Sequence, residues 1–255
     1  MTVAADLAHL GIRPGTRVVV HSSFRAVGPV QGGPAALVQA LVDVVGPDGL
    51  VVAPTFTYDT PRFDPATTPG RTGAISEALR ARADAVRSLL PFYSVAAFGA
   101  GAERLCAGHE HLPATGLGSP LDRLAGGGGE VLLLGVGHIA NTTGHVGEFH
   151  ADAPYLDIPF DPDWPVAAEV DRPEGGVLRV SYDRFPGCSR AFGVLEAPLR
   201  ARDAIRDGSI GRAIAQLVSG AAVVEETAKL VRADPAALLC ADAGCYRCSR
   251  ARARI

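Results

Sequence analysis

A histidine and a glutamate three residues apart, His145 and Glu148, close the segment Gly135-Val-Gly-His-Ile-Ala-Asn-Thr-Thr-Gly-His-Val-Gly-Glu. An imidazole takes up a proton near neutral pH, and a carboxylate beside it fixes its tautomer and stabilises the imidazolium that forms. On a helix capped by Asn141 or Thr142 the pair falls at i and i+3 on one face, within reach of each other or of one substrate. The plainer reading is an imidazole in a loop and a glutamate on a solvated helix face. The segment follows the apolar run Val131–Val136, which reads as a strand buried on both faces. Ligands of open α/β sheets gather at the carboxyl ends of strands, so a strand of this kind delivers His145 and Glu148 to a useful place.

A second polar segment, from His21 through Ser22, Ser23, Phe24, Val27 and Gly28 to Gly32 and Gly33, runs from a strand into a helix. Its glycines let backbone approach a ligand, and the start of the following helix favours a phosphate or an oxyanion. Neither this loop nor any other carries a Walker lysine or a GxSxG elbow, so the ordinary NTPase and serine-hydrolase readings lose their motifs. Lys229 is the only lysine in the chain. Gly135-Val-Gly137-His-Ile-Ala140 fits the dinucleotide pattern GxGxxA, with Asp157 beyond it, but it follows a late strand and not the first one of its unit.

Between Leu124 and Val170 there is no lysine or arginine, whereas Glu130, Glu148, Asp152, Asp157, Asp161, Asp163 and Glu169 are acidic. On a shared face these would make a negative field that gathers a cationic amine, an effect that weakens with salt. Cys240, Cys245 and Cys248 are spaced C-x4-C-x2-C, and Cys188 could supply a fourth thiolate for tetrahedral zinc. The competing reading is a solvated tail rich in arginine, from Arg247 to Arg254, and no catalytic metal is expected.

These residues need a frame, and the chain supplies one by alternating strand and helix periods. Val18–His21, Leu50–Phe56, Ser94–Phe98 and Val131–Val136 read as strands. Gly32-Gly33-Pro34 opens a helix running to Val45 with Gly46 as its cap, and Ile75–Ala83 and Gly101–Ala107 read as further helices. The Pro-rich stretch from Thr57 to Arg71 is a loop long enough to be functional. Val166–Glu169 and Val177–Ser181 form a hairpin that should join the sheet, and Ile210–Arg232 has the spacing of one long amphipathic helix with a possible break at Gly220. The pattern is α/β: layers of α/β/α around a central, mixed and partly antiparallel sheet, in one domain over residues 1–255.

With 255 residues, 47% of them hydrophobic, the chain can bury an enzyme-sized core. A net charge of -3 gives no attraction for nucleic acid or anionic membrane. The first residues lack a basic patch and apolar run, and no apolar stretch is long enough to span a bilayer, which fits a cytoplasmic enzyme. Five cysteines, an odd number, then read as reduced thiols.

Five ordered pieces carry a family likeness: HSSFRAVGPVQGG (21–33), DPATTPGRTGAISEALR (64–80), RSLLPFYSVAAFG (87–99), GLGSPLDRL (116–124) and VLLLGVGHIANTTGHVGE (131–148). From about Arg17 onward the chain resembles the aminoglycoside 3-N-acetyltransferase family, which is distinct from the GNAT acetyltransferases. The resemblance implies a mixed α/β sheet, acetyl-CoA or another acyl-CoA as donor, and an amino group of an aminocyclitol antibiotic as acceptor. It gives the His21–Gly33 segment the pantetheine and phosphates of CoA, with Arg87, Ser88 and Ser119 as further candidates for that site. It makes His145 the base, lets Glu148 orient it or hold the acceptor, and puts Asp59, Asp152 and Asp157 beside the acceptor's ammonium groups. Where the family pattern reads Arg-Ser-x-His-Pro, this chain has Arg87-Ser88-Leu89-Leu90-Pro91, an apolar residue in place of a polar group near the cleft. Two other readings share the residues: an N-acyltransferase of biosynthesis or self-protection using another amine or acyl-CoA, and a drug-binding protein without turnover. The oligomeric state stays open.

Overall fold

The computed structural model describes residues 2–58 and 60–255. The chain runs through α1 (Val3–Leu10), β1 (Arg17–Ser22), α2 (Phe24–Val27), α3 (Gly33–Val45), β2 (Leu50–Pro54), β3 (Arg62–Phe63), α4 (Ala74–Arg80), β4 (Val86–Arg87) and β5 (Val95–Gly99). It continues through α5 (Ala102–Cys106), α6 (Pro120–Gly126), β6 (Glu130–Leu134), α7 (Thr143–His150), β7 (Ala167–Asp171) and β8 (Val177–Ser181). The last elements are α8 (Glu196–Ala201), β9 (Ile205–Ile210), β10 (Ala213–Ser219), α9 (Gly220–Ala233) and α10 (Tyr246–Arg252).

The β-branched run Val18-Val19-Val20 puts β1 at the middle of a seven-stranded sheet of order β4-β5-β2-β1-β6-β10-β9. β1 pairs in parallel with β2 on one side and β6 on the other, while β5 and β10 add antiparallel strands outside them. Alternate residues of these strands feed two cores. Val18, Val20, Val51, Ala53, Leu132 and Leu134 face the layer that holds Leu37, Leu41, Ile75 and Leu79. Val19, Leu50, Val52, Val131 and Leu133 face the layer that holds Leu121, Val146, Phe149, Val223 and Val231. That is the layered α/β/α arrangement with a mixed sheet that the sequence pattern implies. The chain leaves β1 toward β2, and β6 lies on the opposite flank, so a crevice opens between the carboxyl ends of β1 and β6.

Two expectations fail here. The segment 210–232 is not one helix: its first part is β10, hairpinned to β9, and the helix starts only at Gly220. β9 is a polar edge strand with four consecutive exposed residues and offers no apolar pattern, so in the sequence its partner β10 runs into the period of the helix that follows. Gly220 is where the strand yields: a Cβ there would meet the Gly129 carbonyl oxygen at 2.6 Å, and the Ser219 hydroxyl accepts from the Ala222 N–H at 3.3 Å to cap α9. The hairpin β7–β8 does not join the main sheet but makes a separate three-stranded sheet with β3. Its Ala168, Val170 and Val180 alternate inward onto Phe63, Phe92 and Tyr182, an aromatic core of its own. Among the described residues no helix is long and apolar enough to cross a membrane.

Candidate active site

Gly135 turns the chain out of β6 with a φ of 65°, a conformation that favours glycine. A 3-10 turn at His138–Ala140 follows, and the Asn141 side chain accepts from the Thr143 N–H at 3.2 Å, fixing the start of α7. α7 is buried along nearly its whole length because two small residues allow it. A Cβ at Gly144 would press on the Phe192 ring at 2.6 Å, and one at Gly147 would meet the Val224 carbonyl oxygen at 2.6 Å. Close approach to α9 and to the 3-10 segment Ser189–Leu195 is thus written into the glycines between the functional residues.

His145 and Glu148 do lie at i and i+3 on this helix, 7% and 1% exposed. The His145 Nδ1–H donates to Glu148 Oε2 at 2.6 Å. That carboxylate is held twice more: Oε1 accepts from the Tyr155 hydroxyl at 3.1 Å, and Oε2 accepts from the Gly187 N–H at 2.8 Å. Three donors offset the desolvation that would otherwise make a buried carboxylate untenable. Position 187 must be glycine for this contact, since a Cβ there would overlap the Glu148 carboxylate. With Nδ1 committed, Nε2 is the ring nitrogen available to a substrate, and Phe192 braces the ring at 4.7 Å between centroids.

His145 lines a cavity of about 620 Å³. His21 and Ser22, at the end of β1, line it from the neighbouring strand. His21 is 6% exposed and its Nε2 is buried without a hydrogen-bond partner in the protein. Burial pushes its imidazole down to about 3, with the nearby charge of His145 adding to the effect. Phe56, Tyr58, Tyr93 and Phe160 give the cavity an aromatic lining as well, and Asp161 and Arg190, both exposed, also line it.

The remaining sequence candidates lie elsewhere. The Ser23 N–H is tied to the Leu134 carbonyl at 2.8 Å, Phe24 and Val27 pack into the core on the α3 side, and Gly28 faces the Arg212 stem. Gly32 and Gly33, with φ of 81° and 67°, form the turn into α3. Arg87 is turned inward, donating to the Thr55 carbonyl at 2.8 Å and lying over the Phe63 ring. Burial lowers this guanidinium to about 10. Ser88 bonds the Val95 N–H and His109, and Ser119 caps α6. None of these residues contributes to the cavity wall. Asp59 lies outside the described residues. Asp152 pairs with Arg184 at 2.5 Å and Asp157 pairs with Arg254, so arginines from later in the chain neutralise acids that are unpaired in their own stretch. Glu130 is paired with Arg206 in the same way. Leu90 is 1% exposed and packs in the aromatic core beneath β7 and β8; it does not face the cavity, so the apolar residue there leaves the cavity wall untouched.

The residues that sequence reasoning did not single out are Tyr155, Gly187 and the aromatic lining. Tyr93 sat inside one of the five quoted pieces and Asp161 inside the acidic stretch, but nothing local marks Gly187. Its role comes from an N–H that meets a side chain 39 residues away.

The chain is similar to known proteins over nearly its whole length. The sequence profile of the aminoglycoside 3-N-acetyltransferase family matches residues 19–232. Aminoglycoside N(3)-acetyltransferase IV of Salmonella sp. is 34% identical over 253 residues, covering 98% of this chain and 94% of that protein. The crystal structure of aminoglycoside acetyltransferase AAC(3)-IVa, a histidine-to-alanine mutant in complex with a gentamicin, superposes with a TM-score of 0.86 at 34% identity, covering 99% of this chain and 96% of that one. The structure of AAC-IIIb in binary complex with CoASH gives a TM-score of 0.81 at 30% identity, with 91% and 95% covered. A match that spans the strands of the sheet, the cavity and the His145 helix leaves one conclusion: the chain belongs to the aminoglycoside 3-N-acetyltransferase family.

Proposed function

We propose that the protein transfers the acetyl group of acetyl-CoA to the 3-amino group of an aminoglycoside, with His145 as general base. The observation that carries this is the carboxylate-held imidazole on the wall of a cavity large enough for two substrates' reacting ends. An amine is a poor nucleophile while protonated, so the acceptor nitrogen attacks in its neutral form, its ammonium proton having been lost to solvent. His145 Nε2 removes a proton from the attacking nitrogen as the C–N bond to the acetyl carbon forms, and Glu148 stabilises the resulting imidazolium. As the C–S bond breaks, His145 can return that proton to the departing sulfur, so that an N-acetylated product and CoA thiol leave and the enzyme is unchanged.

Acetyl-CoA fits the residues present. The unpartnered Nε2 of His21 and the hydroxyl of Ser22 can serve the amides and carbonyl of the pantetheine arm at the strand ends. Residues 23–33 then act as the support that fixes these two groups, with Arg87, Ser88 and Ser119 in the framework behind them. For the acceptor, we assign the ammonium groups to Asp161 and to the faces of Tyr58 and Phe160, where charge and ring quadrupole both attract a cation. A donor of this kind supports a cytoplasmic location for the reaction.

The test is release of CoA thiol in the presence of a panel of aminoglycosides and simpler amines. Wild-type protein should release thiol with aminoglycosides, and His145→Ala should lose about 10²–10⁴-fold in kcat/KM while still binding CoA. Wild-type turnover in that variant would remove His145 from the base role. Tight drug binding without thiol release from any amine would sink the enzymatic reading.

A further inference from the structure

The reaction leaves four thiols unused. Cys188, Cys240, Cys245 and Cys248 come from three separate stretches of chain, yet their sulfurs all lie within 4.8 Å of one another. They are the one group of three or more potential ligands of this kind found among the described residues, and all four are free thiols. Three are buried and Cys245 is half-buried.

Local structure brings them together on well-defined turns. The Asp242 side chain accepts from the Gly244 N–H at 2.9 Å, and the Asp242 carbonyl accepts from the Cys245 N–H at 3.1 Å. This turn sets Cys245 at the start of α10, and the three-residue spacing stacks Cys248 on the same side. Four thiolates around zinc at about 2.3 Å stand roughly 3.8 Å apart along the tetrahedron's edges. The sulfurs therefore need to close by no more than about an ångström, which side-chain rotation can supply. Thiol packing alone gives no reason for four sulfurs to converge, because each would be equally stable apart among aliphatic neighbours.

We propose that Cys188, Cys240, Cys245 and Cys248 hold one structural Zn²⁺ that pins α10 and the Gly187 strap against the His145–Glu148 pair. Four protein ligands leave no open position for a reacting group, and acyl transfer needs no electron, so the site is structural zinc and not a redox or catalytic metal. Four thiolates and a dication carry a net charge of -2, and cations stand by it. Arg190, beside Cys188, is exposed, and Arg247, between Cys245 and Cys248, is 1% exposed. Arg247 extends the staple: it donates to the Phe185 carbonyl at 2.7 Å, to the Tyr155 carbonyl at 3.1 Å and to the Ile158 carbonyl. These residues flank both donors that hold Glu148, namely the Tyr155 hydroxyl and the Gly187 N–H. The positioning half of the proposal rests on the catalytic reading of that pair; the metal half does not.

Elemental analysis of the reduced full-length protein, purified without a histidine tag, should find about one zinc per chain. Replacing it with Co²⁺ should give the visible absorption of a tetrahedral thiolate site, and thiol reagents should find the four cysteines protected until the metal is removed. Chelation of the wild-type protein should lower Tm by roughly 10 °C, with recovery on adding zinc, as expected for a chain of this size that loses a structural metal. Cys240→Ser and Cys248→Ser should each lose most of the metal. A protein that stays metal-free after incubation with Zn²⁺, with all four thiols reactive, would overturn the site; so would iron in place of zinc, or a cross-linked cysteine pair in the intact mass. Metal content, thiol protection and Tm answer whether or not any amine is acetylated. A slower thiol release that tracks zinc loss, with drug binding retained, tests the strap separately, and full turnover in the zinc-free protein would confine the ion to stability.

Discussion

The carboxyl end of β1 and the segment that leaves β6 each bring a histidine to the same cavity, and they treat it in opposite ways. His21 and His145 are 6% and 7% exposed, so burial does not distinguish them. What differs is the partner. His21 sits at the strand end with a buried nitrogen bonded to nothing in the protein, and burial holds it neutral, down to about 3. His145 sits one helical turn from a carboxylate that three donors keep in place. Of two imidazoles on one wall, only the second has a counter-charge for the proton it would accept. The lesson is that the base is identified by what anchors it, not by residue type or exposure.

The largest effect should come from erasing that difference. Glu148→Gln keeps an acceptor for His145 but removes the charge, so both histidines then face the cavity without a counter-ion. We expect kcat/KM for thiol release to fall about 10²–10⁴-fold, the range of a lost general base, with affinity for CoA little changed. A variant with turnover close to that of wild type would mean that the pairing is structural. Gly187→Ala should come next. Its methyl group would overlap the Glu148 carboxylate, so the carboxylate or the strap must move, and displacement by about an ångström can cost up to 10²-fold in rate. Overpacking should also cost about 1–3 kcal/mol of stability, read by urea unfolding. Normal rate with lowered stability would separate the strap from catalysis. His21→Gln should cost less, about three- to tenfold in kcat/KM, the value of one hydrogen bond to a bound substrate. Loss as large as that of Glu148→Gln would reverse the roles assigned to the two segments.

How legible this was in the sequence follows from the range of each contact. The strands β1, β2 and β6 and helix α3 announce themselves through apolar period and glycine punctuation, because each signal lies within its own short stretch of chain. The His145–Glu148 bond is legible for the same reason: helix geometry alone brings i and i+3 together. Gly187 and Tyr155 are not, since their meaning depends on loops that return to α7 from later in the chain. The acidic stretch looks different in space. Asp152 and Asp157 look unpaired when neighbours are counted along the chain, but Arg184 and Arg254 meet them in space. β9 was invisible because an exposed edge strand has no apolar alternation to read.

The smallest expected effect on turnover isolates burial from counter-charge, using a third histidine. His109, in the 3-10 turn after α5, is buried like the other two but lies outside the cavity and is fully bonded. Its Nε2–H donates to the Ala114 carbonyl at 3.0 Å, so its Nδ1 accepts from the Ser88 hydroxyl at 2.9 Å, and Ser88 in turn accepts from the Val95 N–H at 3.0 Å. A second ring proton has nowhere to go in this chain of bonds, and burial pushes His109 down to about 4. In the unfolded chain His21 and His109 both take up a proton near pH ~6.5. Their native forms are therefore fully stabilising above that pH. As pH falls below it, the unfolded state gains protons that the native state refuses, and stability declines until about 4 for His109 and about 3 for His21. Each contributes a slope of about 1.4 kcal/mol per pH unit inside its window. His109→Gln, which keeps a donor for Ala114, should leave thiol release at neutral pH near wild type. It should flatten the stability curve between about pH 6 and about pH 4 by one such slope, read from urea midpoints. An unchanged curve would mean that His109 takes up a proton in the native state as readily as in the unfolded chain, so that neither burial nor its bonds hold it neutral, and the same reading of His21 would fall with it.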